Sequence, residues 1–154
     1  MSASQPSQIA AYLKGKKNVL VLTGSLCDDT DFNGKKLLDY APEVAEKIAA
    51  PIAATGNTIN GLRERNAKAM KKMLAIEVIN YLRYPWQDPI MENKPEVLVF
   101  IGYGPAVVQR LISMMKETDS VVLGNVCIAE ATHSLPDASL KQWQENLKQL
   151  VQAL

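Results

Sequence analysis

Short, continuously apolar runs alternate with longer amphipathic segments along this chain. Residues 18–23 (NVLVLT), 51–55 (PIAAT) and 96–101 (EVLVFI) each end just before a glycine, and a fourth run covers residues 120–128 (SVVLGNVCI). Runs of this length without polar alternation are typical of strands buried on both faces of a parallel sheet. The pattern therefore predicts four parallel strands joined by helices.

Helical periodicity marks the segments that follow the last two runs. Pro105 suits a first helical position, and its core-facing stripe comprises Val108, Leu111, Ile112 and Met115. Ser139 and Gln142 have the spacing of a capping box at the start of a closing helix. The apolar face of that helix comprises Leu140, Trp143, Leu147, Leu150, Val151 and Leu154.

The middle of the chain predicts one long helix over residues 62–83. Its inward positions are Met70, Leu74, Val78 and Tyr81. Its other face is basic and comprises Arg63, Arg65, Lys68, Lys71 and Lys72. That face is either an ordinary solvated helix surface or a docking patch for an acidic neighbour.

Prolines complicate two other segments. Pro42 interrupts residues 35–49, so that helix is either kinked or begins near Pro42. Residues 84–95 (YPWQDPIMENKP) contain three prolines and are predicted to form an irregular loop.

Length and composition fit one α/β domain over residues 1–154, with a parallel sheet and helices on its faces. The chain is 47% hydrophobic and carries a formal net charge of +1, which suggests no polyanionic partner. It has no apolar run of membrane-spanning length, and its start, MSASQPSQ, lacks the layout of a secretory signal. We therefore expect a soluble, cytoplasmic protein.

Thiols and imidazoles are scarce. Cys27, Cys127 and His133 are the only such side chains, whereas a structural zinc site or an iron–sulfur cluster takes four ligands of these types. We expect two unpaired thiols rather than a disulfide, and no metal centre held by this chain alone.

The glycine turns after the predicted strands are the candidate binding residues. Gly102 and Gly104 begin a dinucleotide fingerprint, but position 107 is valine and Pro105 lacks an N–H group. Position is the stronger argument, since ligands of open parallel sheets bind beyond the carboxyl ends of the strands. The predicted crevice for a nucleotide or flavin is lined by Gly24, Ser25, Thr55, Gly56, Asn57, Gly102, Tyr103 and Gly104.

Candidate catalytic groups are few. His133 has no acid or nucleophile fixed beside it by sequence, so a structural histidine is favoured over a general base. Cys27 follows a strand end but lacks a partner histidine. Asp28, Asp29 and Asp31 are typical of solvated turn chemistry rather than of a metal site.

Four segments, in this order and spacing, resemble a known family over nearly the whole chain. They are VLVLTGS (19–25) after a lysine-rich lead, PIAATG (51–56), YPWQDP (84–89) and VLVFIGYGP (97–105). The chain resembles the epsilon subunit of the archaeal acetyl-CoA decarbonylase/synthase complex. The resemblance implies a Rossmann-like parallel sheet with helices on both faces, similar to the DHS-like NAD/FAD-binding fold.

The same resemblance implies an accessory role. In this family two alpha and two epsilon chains form the CO dehydrogenase component of a larger complex, and all metal clusters belong to subunits other than epsilon. Epsilon is expected to stabilise alpha or to assist electron transfer to FAD, with no cofactor bound firmly by this chain and no established catalytic residue. The alternatives are an autonomous nucleotide- or flavin-dependent enzyme that uses His133 or Cys27, and a nucleotide-binding regulatory module.

Overall fold

Six parallel strands form one sheet at the centre of the molecule, in a computed structural model that describes residues 3–154. They are β1 (Val19–Thr23), β2 (Ile52–Ala54), β3 (Met70–Lys72), β4 (Val97–Ile101), β5 (Asp119–Val122) and β6 (His133–Ser134). The strand order β3-β2-β1-β4-β5-β6 is that of a doubly wound Rossmann sheet. The predicted Rossmann-like α/β fold is therefore confirmed.

Helices cover both faces of this sheet. They are α1 (Pro6–Lys14), α2 (Leu26–Asp29), α3 (Leu37–Lys47), α4 (Ile59–Glu64), α5 (Ala75–Leu82), α6 (Pro105–Ser113) and α7 (Leu140–Ala153). None of the helices within residues 3–154 is long and apolar enough to cross a bilayer.

Alternate residues of the central strands supply two separate cores. Val19 and Val21 of β1 pack with α1, α3, α4 and α7, whereas Leu20 and Leu22 pack with α5 and α6. Both faces are buried because successive side chains of a strand point in opposite directions. Burial of each side chain of this size stabilises the folded state by about 1.5–3 kcal/mol. Because both faces of the sheet are buried, β1 and β4 appear in the sequence as unbroken apolar runs.

The prediction of one long helix over residues 62–83 is wrong. The chain forms α4, turns at Asn66 in the left-handed region (φ 58°), forms β3, and only then begins α5. β3 pairs with β2, and the amide of Met73 donates to the carbonyl of Ala54 at 2.8 Å. Pairing satisfies backbone groups of β2 that a helix at this position would leave without partners.

Only some of the residues predicted to face the core from that helix are buried. Val78 is fully buried and Met70 is half-buried on β3, but Leu74 is 51% exposed and Tyr81 is 40% exposed. The residues of the predicted basic face do not form one surface, because three of them contact different parts of the molecule. Arg65 pairs with Asp39, Lys68 pairs with Glu46, and Lys71 donates to the carbonyl of Pro89.

Three further expectations need correction. α3 begins at Leu37 and continues through Pro42, so the start near Pro42 is wrong. The run at residues 120–128 is a strand only as far as Val122, because the chain turns there before returning as β6. Ser139 caps α7 by accepting from the amide of Gln142, but the Gln142 side chain donates to Asn146 instead of completing a capping box.

The remaining helical and loop predictions are confirmed in part: α7 is the closing helix and buries Trp143, Leu147 and Leu150, but Leu140 is 48% exposed. Pro105 begins α6, and Val108, Leu111 and Ile112 are buried, whereas Met115 lies beyond the end of the helix. Residues 84–95 form neither helix nor strand.

Candidate functional site

The predicted site residues lie on three neighbouring turns at the carboxyl edge of the sheet. Gly24 and Ser25 follow β1, residues 55–57 follow β2, and residues 102–104 follow β4. Thr23, which ends β1, lies beside Ala54 on one side and Ile101 on the other. Topology therefore brings the three turns together as the sequence pattern predicted, although their role in binding stays a prediction.

The turns after β1 and β4 are in direct backbone contact. The amide of Gly24 donates to the carbonyl of Ile101 at 2.7 Å, and the amide of Leu26 donates to the carbonyl of Gly102 at 3.0 Å. A methyl group added at Gly24 would collide with the Gly102 carbonyl and with the Tyr103 ring. This is the position at which the strand order reverses, and the amides of Gly24 and Leu26 are already bonded to the end of β4 and its turn instead of being free to bind a pyrophosphate.

The turn after β2 satisfies its own polar groups. Asn57 donates its side-chain amide to the carbonyl of Ser25 at 3.0 Å, and the Thr55 hydroxyl donates to Asn57 Oδ1 at 3.2 Å. These contacts tie the second turn to the first. Lys72, predicted on the basic face of a helix, lies beside this turn instead, with its Cε 3.3 Å from the position that a Cβ of Gly56 would take. No periodicity could reveal this contact, because it depends on β3 being a strand.

A hollow of about 280 Å³ lies at the same edge, beside the Tyr103 side chain, and we call it the Tyr103 hollow. Its walls come from the turns after β4 and β5 and from the start of α7. Its lining residues are Leu26, Thr30, Gly102, Tyr103, Pro105, Val108, Val122, Gly124, Asn125, Val126, Ile128, Leu140 and Trp143. Among the residues that the structure describes, no charged side chain, histidine or cysteine lines it.

Tyr103 is the polar group of interest in this hollow. Its ring packs edge-on against Phe100 with centroids 5.7 Å apart, and its hydroxyl is buried without a hydrogen-bond partner in residues 3–154. Burial raises the pKa of Tyr103, and the nearby Cys27 would raise it further if charged. The hydroxyl is therefore neutral at physiological pH, and because its oxygen is buried it does not face the open hollow.

Cys27 is not an activated nucleophile. Its side chain is fully buried, and the thiol donates to the carbonyl of Ile101 at 3.2 Å. Burial raises the pKa of Cys27 to about 12, so the thiolate is scarce at neutral pH. Cys127 is partly exposed, and neither thiol is in a disulfide.

His133 lies on the edge strand β6, away from the lining of the Tyr103 hollow. Its Nδ1 atom is 2.8 Å from the hydroxyl of Ser4, and its ring packs against Tyr12 with centroids 4.4 Å apart. Tyr12 in turn donates its hydroxyl to Asp119. These contacts agree with a hydrogen-bonded structural histidine rather than with a general base.

The aspartates after β1 are engaged within their own loop. Asp28 pairs with Lys36 at 3.2 Å, and Asp31 accepts from the amide of Gly34 at 2.8 Å, which is ordinary turn chemistry. Residues 3–154 contain no group of three or more His, Cys, Asp or Glu side chains that could hold a metal ion.

FAD, which the family resemblance implies, does not fit this chain alone. The position where a dinucleotide pyrophosphate would bind is closed by the contact between Gly24 and Gly102. The Tyr103 hollow, at about 280 Å³, is smaller than the roughly 300–1,000 Å³ of ordinary ligand pockets. It has room for a fragment such as one ring system, but not for the whole molecule. No protein-family model matches the chain.

Proposed function

We propose that this chain is a non-catalytic accessory subunit, the epsilon subunit of the CO dehydrogenase component of an acetyl-CoA decarbonylase/synthase complex. In that role it stabilises the alpha subunit in an assembly of two alpha and two epsilon chains. The cytoplasm is its proposed location.

One observation carries the non-catalytic part of this proposal. The carboxyl edge of the sheet, where enzymes of this topology bind their ligands, presents the uncharged Tyr103 hollow. Acid–base and nucleophilic catalysis need paired titratable groups within hydrogen-bond reach of a substrate. The buried Cys27 and the packed His133 lie outside the lining of that hollow.

A role in passing electrons to FAD is proposed only as a shared function. Since a dinucleotide does not fit this chain alone, a flavin at the Tyr103 hollow would need further walls from the alpha subunit. This chain's contribution would be the apolar surface formed by Tyr103, Trp143 and Leu140.

The assembly is tested by affinity purification from native extract with this chain as bait, followed by mass spectrometry and metal analysis. We expect a CO dehydrogenase alpha subunit with nickel and iron in the captured complex, and neither metal at whole-number stoichiometry in the isolated chain. An unrelated Rossmann domain of similar size serves as the control bait. Recovery of this chain alone would contradict the proposal, as would CO oxidation by the isolated chain.

The uncharged Tyr103 hollow favours one second candidate, a regulatory module that binds a small ligand. A flat apolar ligand that packs on the lining of this hollow would gain affinity from the apolar surface that it removes from water. Ligand titration of the isolated chain separates this candidate from the accessory subunit.

A further inference from the structure

An exposed tyrosine separates two hollows at the amino edge of the sheet. Tyr84 is 70% exposed and lines both of them, one of about 490 Å³ between the ends of α5 and α6 and one of about 440 Å³ beside Tyr81 and Pro85. Helices that connect parallel strands run opposite to them, so the ends of α5 and α6 lie away from the Tyr103 hollow. We call Tyr84 and its two flanking hollows the Tyr84 surface.

Positive charge converges on the larger of these hollows. Arg83, Lys94 and Lys116 line it, and none of the three has an ion-pair partner in residues 3–154. Glu117 is the one acidic residue in the lining. Lys35, Lys36, Arg65 and Lys68 pair with carboxylates, but other exposed cations in the described part of the chain, such as Lys47, Lys141 and Lys148, do not, so the distinguishing feature of this surface is that three unpaired cations line one hollow. The Tyr84 surface therefore offers charge that is complementary to an acidic group from outside the chain.

Apolar side chains lie between these charges. Leu82, Met114 and Met115 line the same hollow and are partly buried against the core of α5 and α6. Aromatic residues, methionine and arginine are the residue types enriched at protein interfaces, and a central aromatic anchor often dominates the binding energy.

The loop that carries Tyr84 and Lys94 is held in place. Trp86 donates its indole N–H to the carbonyl of Met91 at 2.8 Å, and its ring packs edge-on against Tyr81. Lys71 donates to the carbonyl of Pro89 at 2.6 Å. An irregular loop fixed by such contacts loses less conformational entropy on binding than a free loop would.

We propose that the Tyr84 surface docks an acidic segment of the partner subunit. Carboxylates of that segment pair with Arg83, Lys94 and Lys116, and an apolar side chain packs beside Tyr84. Two adjoining hollows and a broadly exposed tyrosine suit an extended protein segment better than an enclosed small anion. The identity of the partner rests on the proposed function, whereas its chemistry rests on the residues of this surface.

Calorimetric titration with the purified alpha subunit tests this assignment. The triple variant R83E/K94E/K116E and the single variant Tyr84→Ala should each bind at least about tenfold more weakly than the wild type. The wild-type affinity should fall as salt rises, with a smaller salt dependence in the triple variant. The matched control is K47E/K141E/K148E, which reverses three exposed cations without ion-pair partners on α3 and α7 and makes the same change in net charge.

A second probe separates failure of this inference from failure of the proposed function. It is a short synthetic peptide that alternates glutamate with leucine and phenylalanine. If the alpha subunit does not bind the wild type, the proposed function fails. In that case, peptide binding that is lost in the triple variant but kept in the control would still support docking of an acidic segment. Equal binding of the alpha subunit, or of the peptide, by the triple variant and the control would overturn the inference. The inference would also be overturned if the wild type bound inorganic phosphate saturably but did not bind the peptide, and if the triple variant lost the phosphate binding.

Discussion

The turn after β4 contains two glycines with opposite structural needs. Gly102 has φ 83°, in the left-handed region, and a Cβ there would collide with the thiol of Cys27 and lie 2.8 Å from its backbone nitrogen. Gly104 has φ −64° and ψ 150°, and a Cβ there would meet nothing within 4 Å. Only Gly102 is required by the contact that closes the crevice.

Alanine at these two positions gives a matched pair of variants. Gly102→Ala should lower the free energy of unfolding by about 2–4 kcal/mol, because it combines backbone strain with a collision in a buried region. Gly104→Ala should change it by less than about 1 kcal/mol, because the lost entropy of the unfolded chain offsets a poorer helix cap. Urea denaturation measures both values. Equal losses in the two variants would contradict the close contact between Gly102 and Cys27.

The buried thiol of Cys27 should make stability fall in alkaline solution. Its pKa rises from an ordinary value of 9.0 to about 12 in the folded protein because of burial. The folded state therefore keeps a proton that the unfolded chain releases above about pH 9, so stability falls as pH rises through that window. Between pH 8 and pH 10 the free energy of unfolding should fall by about 1 kcal/mol.

The Cys27→Ala variant supplies the control for this pH dependence. It should be less stable than the wild type at pH 8 because of its lost packing, but the difference should narrow by pH 10, since the variant has no thiol to ionise. Urea denaturation at the two pH values measures the difference, and tyrosine ionisation affects both proteins alike. Parallel losses in both would show that Cys27 is not the buried acid.

At the scale of elements, the central strands could be predicted and the edge strands could not. β1 and β4 are fully buried, so their sequences carry unbroken apolar runs. β3 has the sequence MKK with one half-buried and two exposed residues, and β6 has only two residues. Their strand conformation comes from pairing with β2 and β5, which local sequence does not record.

The candidate site divides in the same way. The meeting of the turns after β1, β2 and β4 follows from parallel topology and could be predicted from glycines at strand ends. Closure of the crevice could not, because it depends on the hydrogen bond between Leu26 and Gly102, which are about half the chain length apart. The far wall of the Tyr103 hollow was also missed. Asn125, from the turn after β5, and Trp143, from the first turn of α7, both line it.

The whole molecule has its two candidate binding surfaces on opposite edges of one sheet. The uncharged Tyr103 hollow lies at the carboxyl edge, and the cation-lined Tyr84 surface lies at the amino edge. A segment docked at the Tyr84 surface would not itself cover the Tyr103 hollow, so the walls of a shared flavin site would have to come from another part of the alpha subunit. Binding of a small ligand and docking of a subunit can therefore be measured separately on this fold.

Titration of the isolated chain with FAD and with NAD tests how much of a dinucleotide site it contains. We expect neither saturable quenching of FAD fluorescence nor a shift in melting temperature with either compound, because the crevice is closed and the hollow holds only a fragment. A ligand at about 100 times its dissociation constant would stabilise the fold by about 2.7 kcal/mol, and a domain of this size would then melt several degrees higher. Such a shift, lost in Tyr103→Ala, would contradict the fit argument and favour the regulatory module. If the shift occurred only with the alpha subunit present, the flavin site would be shared between the two chains.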